Sequence, residues 1–366
     1  MLCYLKIALS IRFLNNAVSS FNMKIVILGG GFCGALAAKL LDKKHEVVLI
    51  DKKDYFEYTP SIHKVIFNAG YHKKITVPFK HFLKNARIVT DKMLHVTSKF
   101  VETEKEKITF DYLIISAGID YPIFLDDKEN VCTLKSGKEA ALIGAKMLSQ
   151  EHILIIGGGL IGTEIAGELV TKTKGKRLVI VHPPDRLLER NPVKASDYAR
   201  KFLERHGAQI IFGEKVVDHK GNTFITDKGR NIHAEAGIWC AGIKCNPWFM
   251  KGFPDAIFTE RKALKVNSFL QLEGYQNIFV GGDINNVPEE KTAQNAERHA
   301  HLIVKNIERL ENNSSLIAHK PRSAPLVISL GDSTGIMTLP NGRVITGFFP
   351  GVLKWLIEWW VLRQYK

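Results

Sequence analysis

Apolar residues along the chain fall into short uninterrupted runs alternating with stretches of helical spacing. Lys24 to Leu28, "KIVIL", is a strand-like run. Gly29, Gly31 and Gly34 follow it, then positions apolar at helical period to about Leu41, then "HEVVLID", which ends on Asp51. That order predicts strand, glycine turn, helix, strand. A near echo begins at His152. Its strand is "ILIIG", its turn carries Gly157, Gly159 and Gly162, and its helix carries Glu164 and Glu168. The next apolar run, "RLVIVH", ends on His182 instead of an acid. Residues 319–347 read as strands with a hairpin turn at Asn341-Gly342, and a short helix rich in tryptophan follows from Val352.

The residue types suit one chemistry. A first glycine permits a tight turn, a second lets the backbone approach a pyrophosphate, and a third lets helix and strand pack closely. The helix N-terminus offers unpaired N–H groups to the phosphates. Asp51 lies where a carboxylate accepts hydrogen bonds from ribose hydroxyls. In the second copy a carboxylate would repel a 2′-phosphate. His182, with Arg186 close by, removes that repulsion and opens the site to NADPH as well as NADH. The other reading of His182 is an exposed loop residue with no ligand contact. Two dinucleotide cradles in one chain predict an electron relay, with FAD in one and NADH or NADPH in the other.

Bulk properties narrow the class. At 366 residues the chain accommodates two or three domains, and 45% hydrophobic with 24% charged residues is ordinary for a folded globular protein. The formal charge of +14 fits phosphate-bearing ligands, an anionic membrane face, nucleic acid, or simply a solvated basic surface. No clustered basic stripe with interleaved aromatics occurs, so nucleic acid is not expected. Cys3, Cys33, Cys132, Cys240 and Cys245 are too few and scattered for a disulfide framework. Cys240 and Cys245 read as packing residues, not as a redox pair. No Cys/His set has metal-ligand spacing, so no metal is expected. Residues 1–22 contain Lys6 and Arg12 but no acid, which fits a targeting segment, or else Met23 is the start.

From Lys24 onward the chain resembles the two-dinucleotide-binding-domain flavoproteins of the pyridine nucleotide–disulfide oxidoreductase superfamily. Four segments carry the resemblance in order: the first glycine turn with Asp51, "FDYLIISAG" (Phe110 to Gly118), the second glycine turn, and "NIFVGGD" (Asn277 to Asp283). "GGGLIGTEIAGEL", "IWCAGIKCNP" and "KTAQNAERHA" are similar to segments of type II NADH dehydrogenases and of the apoptosis-inducing-factor-like quinone reductases known as ferroptosis suppressors. Arg298 and His299 depart from the type II pattern, which has two glutamines there.

The resemblance implies an α/β protein of two Rossmann-like domains, glutathione-reductase-like, plus a small C-terminal region. The FAD domain would comprise 23–120 and 246–318, the NAD(P) domain 121–245, and the C-terminal region 319–366. Gly29, Gly31, Gly34, Asp51, Ala117, Gly118, Gly282 and Asp283 would hold FAD. Gly157, Gly159, Gly162 and His182 would hold the nicotinamide dinucleotide. Glu164 would lie beside the nicotinamide, or else serve as a first-turn acid favoured by the helix dipole. Lys291 and Gln294 would sit near the flavin.

The implied activity is NAD(P)H:quinone reduction without proton pumping. Two alternatives are a soluble reductase feeding ferredoxin or rubredoxin and an apoptosis-inducing-factor-like binding or signalling flavoprotein. Within the tail "FFPGVLKWLIEWWVLRQYK" the expectation is an interfacial helix, with Trp355, Trp359 and Trp360 at headgroup depth and Lys354, Arg363 and Lys366 on anionic lipid. The other reading docks that helix on the protein's own core or on a homodimer partner. Peripheral membrane attachment on a cytoplasmic or matrix-type face follows from the first reading.

Overall fold

Two five-stranded parallel sheets, alike in the order of four strands and different in the origin of one edge strand, form the body of the molecule. The computed structural model describes residues 23–366, and the expectation for residues 1–22 lies outside them. The first sheet runs Ile278–Val280, Tyr112–Ile115, Lys24–Leu28, Glu46–Asp51, Arg87–Thr90. The second runs Val131–Cys132, Ala236–Trp239, His152–Ile156, Arg177–His182, Gln209–Phe212.

The uninterrupted apolar runs arise because each strand is covered on both faces. Successive side chains point to opposite sides of a strand. Ile25 and Ile27 therefore join a core with Ala35, Ala38 and Leu41 of the helix Phe32–Leu41. Val26 and Leu28 face the other way, onto Phe249, Met250, Phe253 and Ile257. The second sheet repeats the arrangement. Ile153, Ile155 and Ile180 share a core with Ile165, Ala166 and Leu169 of the helix Leu160–Lys172, whereas Leu154, Ile156 and Val181 pack with Val216 and Phe224.

A three-stranded antiparallel sheet, Leu326–Ser329, Gly335–Thr338 and Val344–Gly347, carries the chain into its last helix, Phe348–Tyr365. That helix starts four residues ahead of Val352. Pro350 does not prevent this, because the first-turn N–H groups of a helix have no intrahelical acceptor to lose. At the far end Tyr365 is buried and stacks on Phe56, ring centroids 4.3 Å apart. Among the described residues no helix is long and apolar enough to cross a membrane.

Candidate active site

The two glycine turns are near copies in atomic detail. Gly29 and Gly157 both adopt left-handed backbone, φ 91° and 109°, where a side chain is strained. A Cβ on Gly34 would lie 1.9 Å from the Gly29 carbonyl oxygen, and one on Gly162 would lie 1.9 Å from that of Gly157. Around Gly31 and Gly159 there is open space. Each is the N-cap of its helix without a side-chain cap, and neither first turn holds an acid. The helix N–H groups are thus left for an external acceptor, and the open cradle fits a pyrophosphate.

The middle glycine of each turn is held by the end of the following strand. Asp51 Oδ2 accepts from the Gly30 N–H at 2.6 Å, and His182 Nδ1 accepts from the Gly158 N–H at 3.1 Å. His182 is buried, which lowers its pKa, and its Nε2 lies 3.2 Å from Glu189. It is neither an exposed loop residue nor a free cation. Arg186 is engaged too, donating to the carbonyls of Glu189 and Asn191 at 2.5 and 2.9 Å.

The remaining predicted flavin residues cluster beside the first turn. Ser116 accepts the strand's continuation by donating its hydroxyl to Leu28 and Gly29 carbonyls, both at 2.9 Å, so exposed Ala117 and open Gly118 come off the sheet next to Gly29. The Gly282 N–H donates to His299 Nδ1 at 3.0 Å. With Nδ1 accepting, the proton of the neutral ring sits on Nε2, 2.7 Å from Glu289, which also takes His319 at 3.2 Å. His299 Nε2 and Glu289 Oε1 make no hydrogen bond despite that distance, and Glu289, His299 and His319 offer ligand atoms within 4.8 Å of one another. Burial raises the Asp283 carboxyl and lowers the Lys291 ammonium, each against the other's charge. Lys291 donates to the Asn285 carbonyl at 2.8 Å. Gln294 is exposed in the first turn of Ala293–Glu311, and its amide lies 3.4 Å from the Pro325 carbonyl.

Glu164 lies past the first turn of its helix, so the dipole reading does not account for it. It is buried where both domains meet the C-terminal region. Its carboxylate accepts from Ser329 N–H and hydroxyl at 3.0 and 3.1 Å and is bonded to the Lys354 ammonium. Burial pushes its pKa up, and the Lys354 ammonium together with the Ser329 N–H more than offsets that, leaving it below the ordinary value. His63 is held neutral, its pKa down to about 3, chiefly by burial. Four residues on from Lys354, Glu358 is bonded to Ser61 and Tyr71 and lies 3.5 Å from Lys64.

The last helix keeps its tryptophans outward, as expected, but turns Lys354 inward. Lys354 and Glu358 are 6% and 5% exposed, whereas Trp355, Trp359 and Trp360 are 55%, 49% and 60% exposed. Lys354 belongs to the interior and supplies no charge to a lipid face. Sequence reasoning missed His63, Ser329, Lys354 and Glu358 as site residues. Two opposite charges one turn apart, Lys354 and Glu358, in the apolar stretch before Arg363 were the available signal.

The cysteines contribute no pair. Cys33, Cys132, Cys240 and Cys245 are free thiols. Burial pushes Cys33 and Cys132 up to about 12 and raises Cys240 and Cys245, so none is poised as a thiolate.

Comparisons with known proteins agree with this geometry. A family model described as pyridine nucleotide-disulphide oxidoreductase matches residues 23–300. Ferroptosis suppressor protein 1 of Taeniopygia guttata is 29% identical over 91% of this chain and 91% of its own. The type II NADH:quinone oxidoreductase of Staphylococcus aureus is 24% identical over 92% and 94%. The structure of NDH2 from Plasmodium falciparum in complex with NADH superposes with a TM-score of 0.82 at 17% identity, over 93% of this chain and 94% of that one.

Proposed function

The chain belongs to the pyridine nucleotide-disulphide oxidoreductase family, and from that premise we propose that it reduces a quinone taken from a membrane surface. Membership makes it a flavin-dependent NAD(P)H dehydrogenase, with FAD and a pyridine nucleotide as cofactors. When bound, the flavin accepts hydride from the reduced nicotinamide and returns two electrons to an acceptor. The protein's share is positional. Gly29, Gly31, Gly34 and Asp51, with Ala117, Gly118, Gly282 and Asp283, would hold FAD, and Gly157, Gly159, Gly162 and His182 the nicotinamide dinucleotide.

The observation that carries the quinone reading is the last helix. Its inner face joins the junction through Lys354 and Glu358, and its outer face presents Phe348, Phe349, Trp355, Leu356, Trp359 and Trp360. Aromatic residues at that density suit the headgroup boundary of a bilayer, and Arg363, over the Trp359 ring at 5.1 Å, suits anionic lipid. An acceptor dissolved in the lipid then arrives beside the helix that carries Lys354. Glu164 and Lys354 would fix the charge state at that entrance. Lys291 would balance Asp283 near the flavin, and Gln294 would line the nearby surface.

Kinetics on the flavin-loaded protein test the reading. NADH oxidation should be at least about ten-fold faster with a water-soluble quinone than with oxygen alone or with ferredoxin, and liposomes of anionic lipid should retain the wild type but not a Trp355→Ser/Trp359→Ser/Trp360→Ser variant. Quinone turnover at the oxygen background overturns the acceptor assignment. A stable dimer that ignores liposomes, and dissociates in the triple variant, assigns the aromatic face to a second copy instead.

A further inference from the structure

The two halves read a ribose with different hardware. In the first, Asp51 does two jobs at once: Oδ2 accepts from Gly30 N–H at 2.6 Å, and Oδ1 accepts from Lys53 N–H at 2.8 Å, leaving a carboxylate at the strand end. In the second, the strand-end group is neutral. His182 Nδ1 is spent on Gly158 N–H at 3.1 Å, so the ring proton is on Nε2, pointing to Glu189 Oε2 at 3.2 Å. A ring in that state has no acceptor left for a ribose hydroxyl. Glu189 has one. Its side chain is 34% exposed, and its second oxygen has only Arg190 nearby, at 3.9 Å.

We propose that Glu189, tethered by His182, is the carboxylate that receives the ribose hydroxyls of the nicotinamide dinucleotide and makes this chain select NADH over NADPH. The proposal needs only the family's pyridine nucleotide, so it stands or falls apart from the quinone reading.

The loop between His182 and Pro192 is built to deliver that carboxylate. Leu188 adopts left-handed backbone, φ 52°, a strained state for a bulky residue. It lets the Leu188 N–H donate to the Gly158 carbonyl at 3.0 Å, which folds the loop back over the glycine turn and sets Glu189 against His182. Leu187 seals the same contact, since a Cβ on Gly158 would lie 2.4 Å from its methyl. The nearby cations are committed elsewhere. Arg186 holds the Glu189 and Asn191 carbonyls, and Arg190 pairs with Glu290 at 3.1 Å. A 2′-phosphate, with close to two negative charges, would meet the Glu189 carboxylate, and the exposed Arg190 would have to leave Glu189 and Glu290 to receive it.

Calorimetric titration of the flavin-loaded protein with NAD+ and NADP+ tests this by binding alone. The wild type should bind NAD+ about ten-fold or more tighter than NADP+, with the gap shrinking as salt is added. Glu189→Gln keeps a hydrogen-bonding group and removes the charge. It should tighten NADP+ by about ten-fold while changing NAD+ less than about three-fold. In a His182→Ala background, where Glu189 is untethered, the same Glu189→Gln change should move the NADP+ to NAD+ ratio less. Wild-type affinities that are equal, or that favour NADP+, overturn the proposal without any variant. So does a Glu189→Gln protein in which both affinities shift together.

Discussion

The helix after the first glycine turn buries Phe32, Cys33, Ala35, Leu36, Ala37, Ala38 and Leu41, and carries no acid. The helix after the second turn buries Glu164 and Glu168, at the same distances from the turn's first glycine as Leu36 and Leu40. The turn geometry and the order of four of the five strands are otherwise shared. The first helix meets the C-terminal region through Lys39, which is bonded to the Gln364 carbonyl and lies 5.5 Å from the centre of the Tyr365 ring. The second meets it through charge, Glu164 on Lys354 and Lys172 on Asp332 at 2.9 Å. One scaffold thus serves two purposes. On the proposed assignment, the first copy holds the resident flavin, and the second, which keeps ionised groups inside the junction, receives the nucleotide that comes and goes.

Breaking the charged contact gives the largest expected effect. Lys354→Met leaves the Glu164 carboxylate buried with only Ser329 and His63 near it, which should cost about 3–5 kcal/mol at neutral pH. Glu164→Gln in the same chain should recover most of that. The pH dependence should change sign. In the wild type Glu164 sits below its ordinary value, so its contribution is present above the unfolded pKa and is lost as pH falls through the lower folded one. Without Lys354, burial dominates and the folded pKa rises. The contribution is then full below the unfolded pKa of about 4 and lost as pH climbs through the raised folded one, across the acid-to-neutral range. Denaturant melts of both proteins across that range check the reversal, and parallel pH profiles would contradict the pairing.

Next in size are the two closest approaches. Gly34→Ala and Gly162→Ala each push a Cβ onto a backbone carbonyl that cannot move away, at about 1–3 kcal/mol apiece. If the halves are equivalent in build, the two losses should agree within about 0.5 kcal/mol in melts of the flavin-free protein. Flavin should separate them. Gly34→Ala should also release FAD, visible as lost yellow absorbance, whereas Gly162→Ala should keep it. Flavin loss in both would mean the second cradle supports the first.

How much of this could be read in advance follows the range of the forces involved. Gly29, Gly31, Gly34 and their echoes were legible because turn sterics act over a few residues, and Asp51 because a strand fixes where its last side chain emerges. Lys354 was misassigned to the lipid side. Its helix carries charge at Lys354, Glu358 and Arg363, and periodicity cannot tell which of them turns inward until Glu164, 190 positions earlier in the chain, is in place. Ser329 and His63 were missed for the same reason, since nothing local marks a buried polar partner. Glu189 lay hidden behind His182. It lies seven residues beyond the strand end, and only the left-handed Leu188 brings it back.

The smallest effect on stability should come from the open glycines, and it is also the cleanest separation of the halves. Gly31 and Gly159 have φ −76° and −72°, backbone that alanine adopts without strain, and nothing within 4 Å of an added Cβ. Gly31→Ala and Gly159→Ala should therefore each change the flavin-free melt by under about 1 kcal/mol, the range of an N-cap replacement. The added methyl instead occupies the face where a pyrophosphate approaches the helix N–H groups. Gly31→Ala should weaken FAD retention by about ten-fold and leave NAD+ affinity of the reloaded protein alone, while Gly159→Ala does the reverse. Dialysis followed by flavin absorbance and NAD+ titration reads both. If either variant loses both ligands together, the cradles are coupled through the junction at Glu164 and Lys354, and the division of labour between them fails.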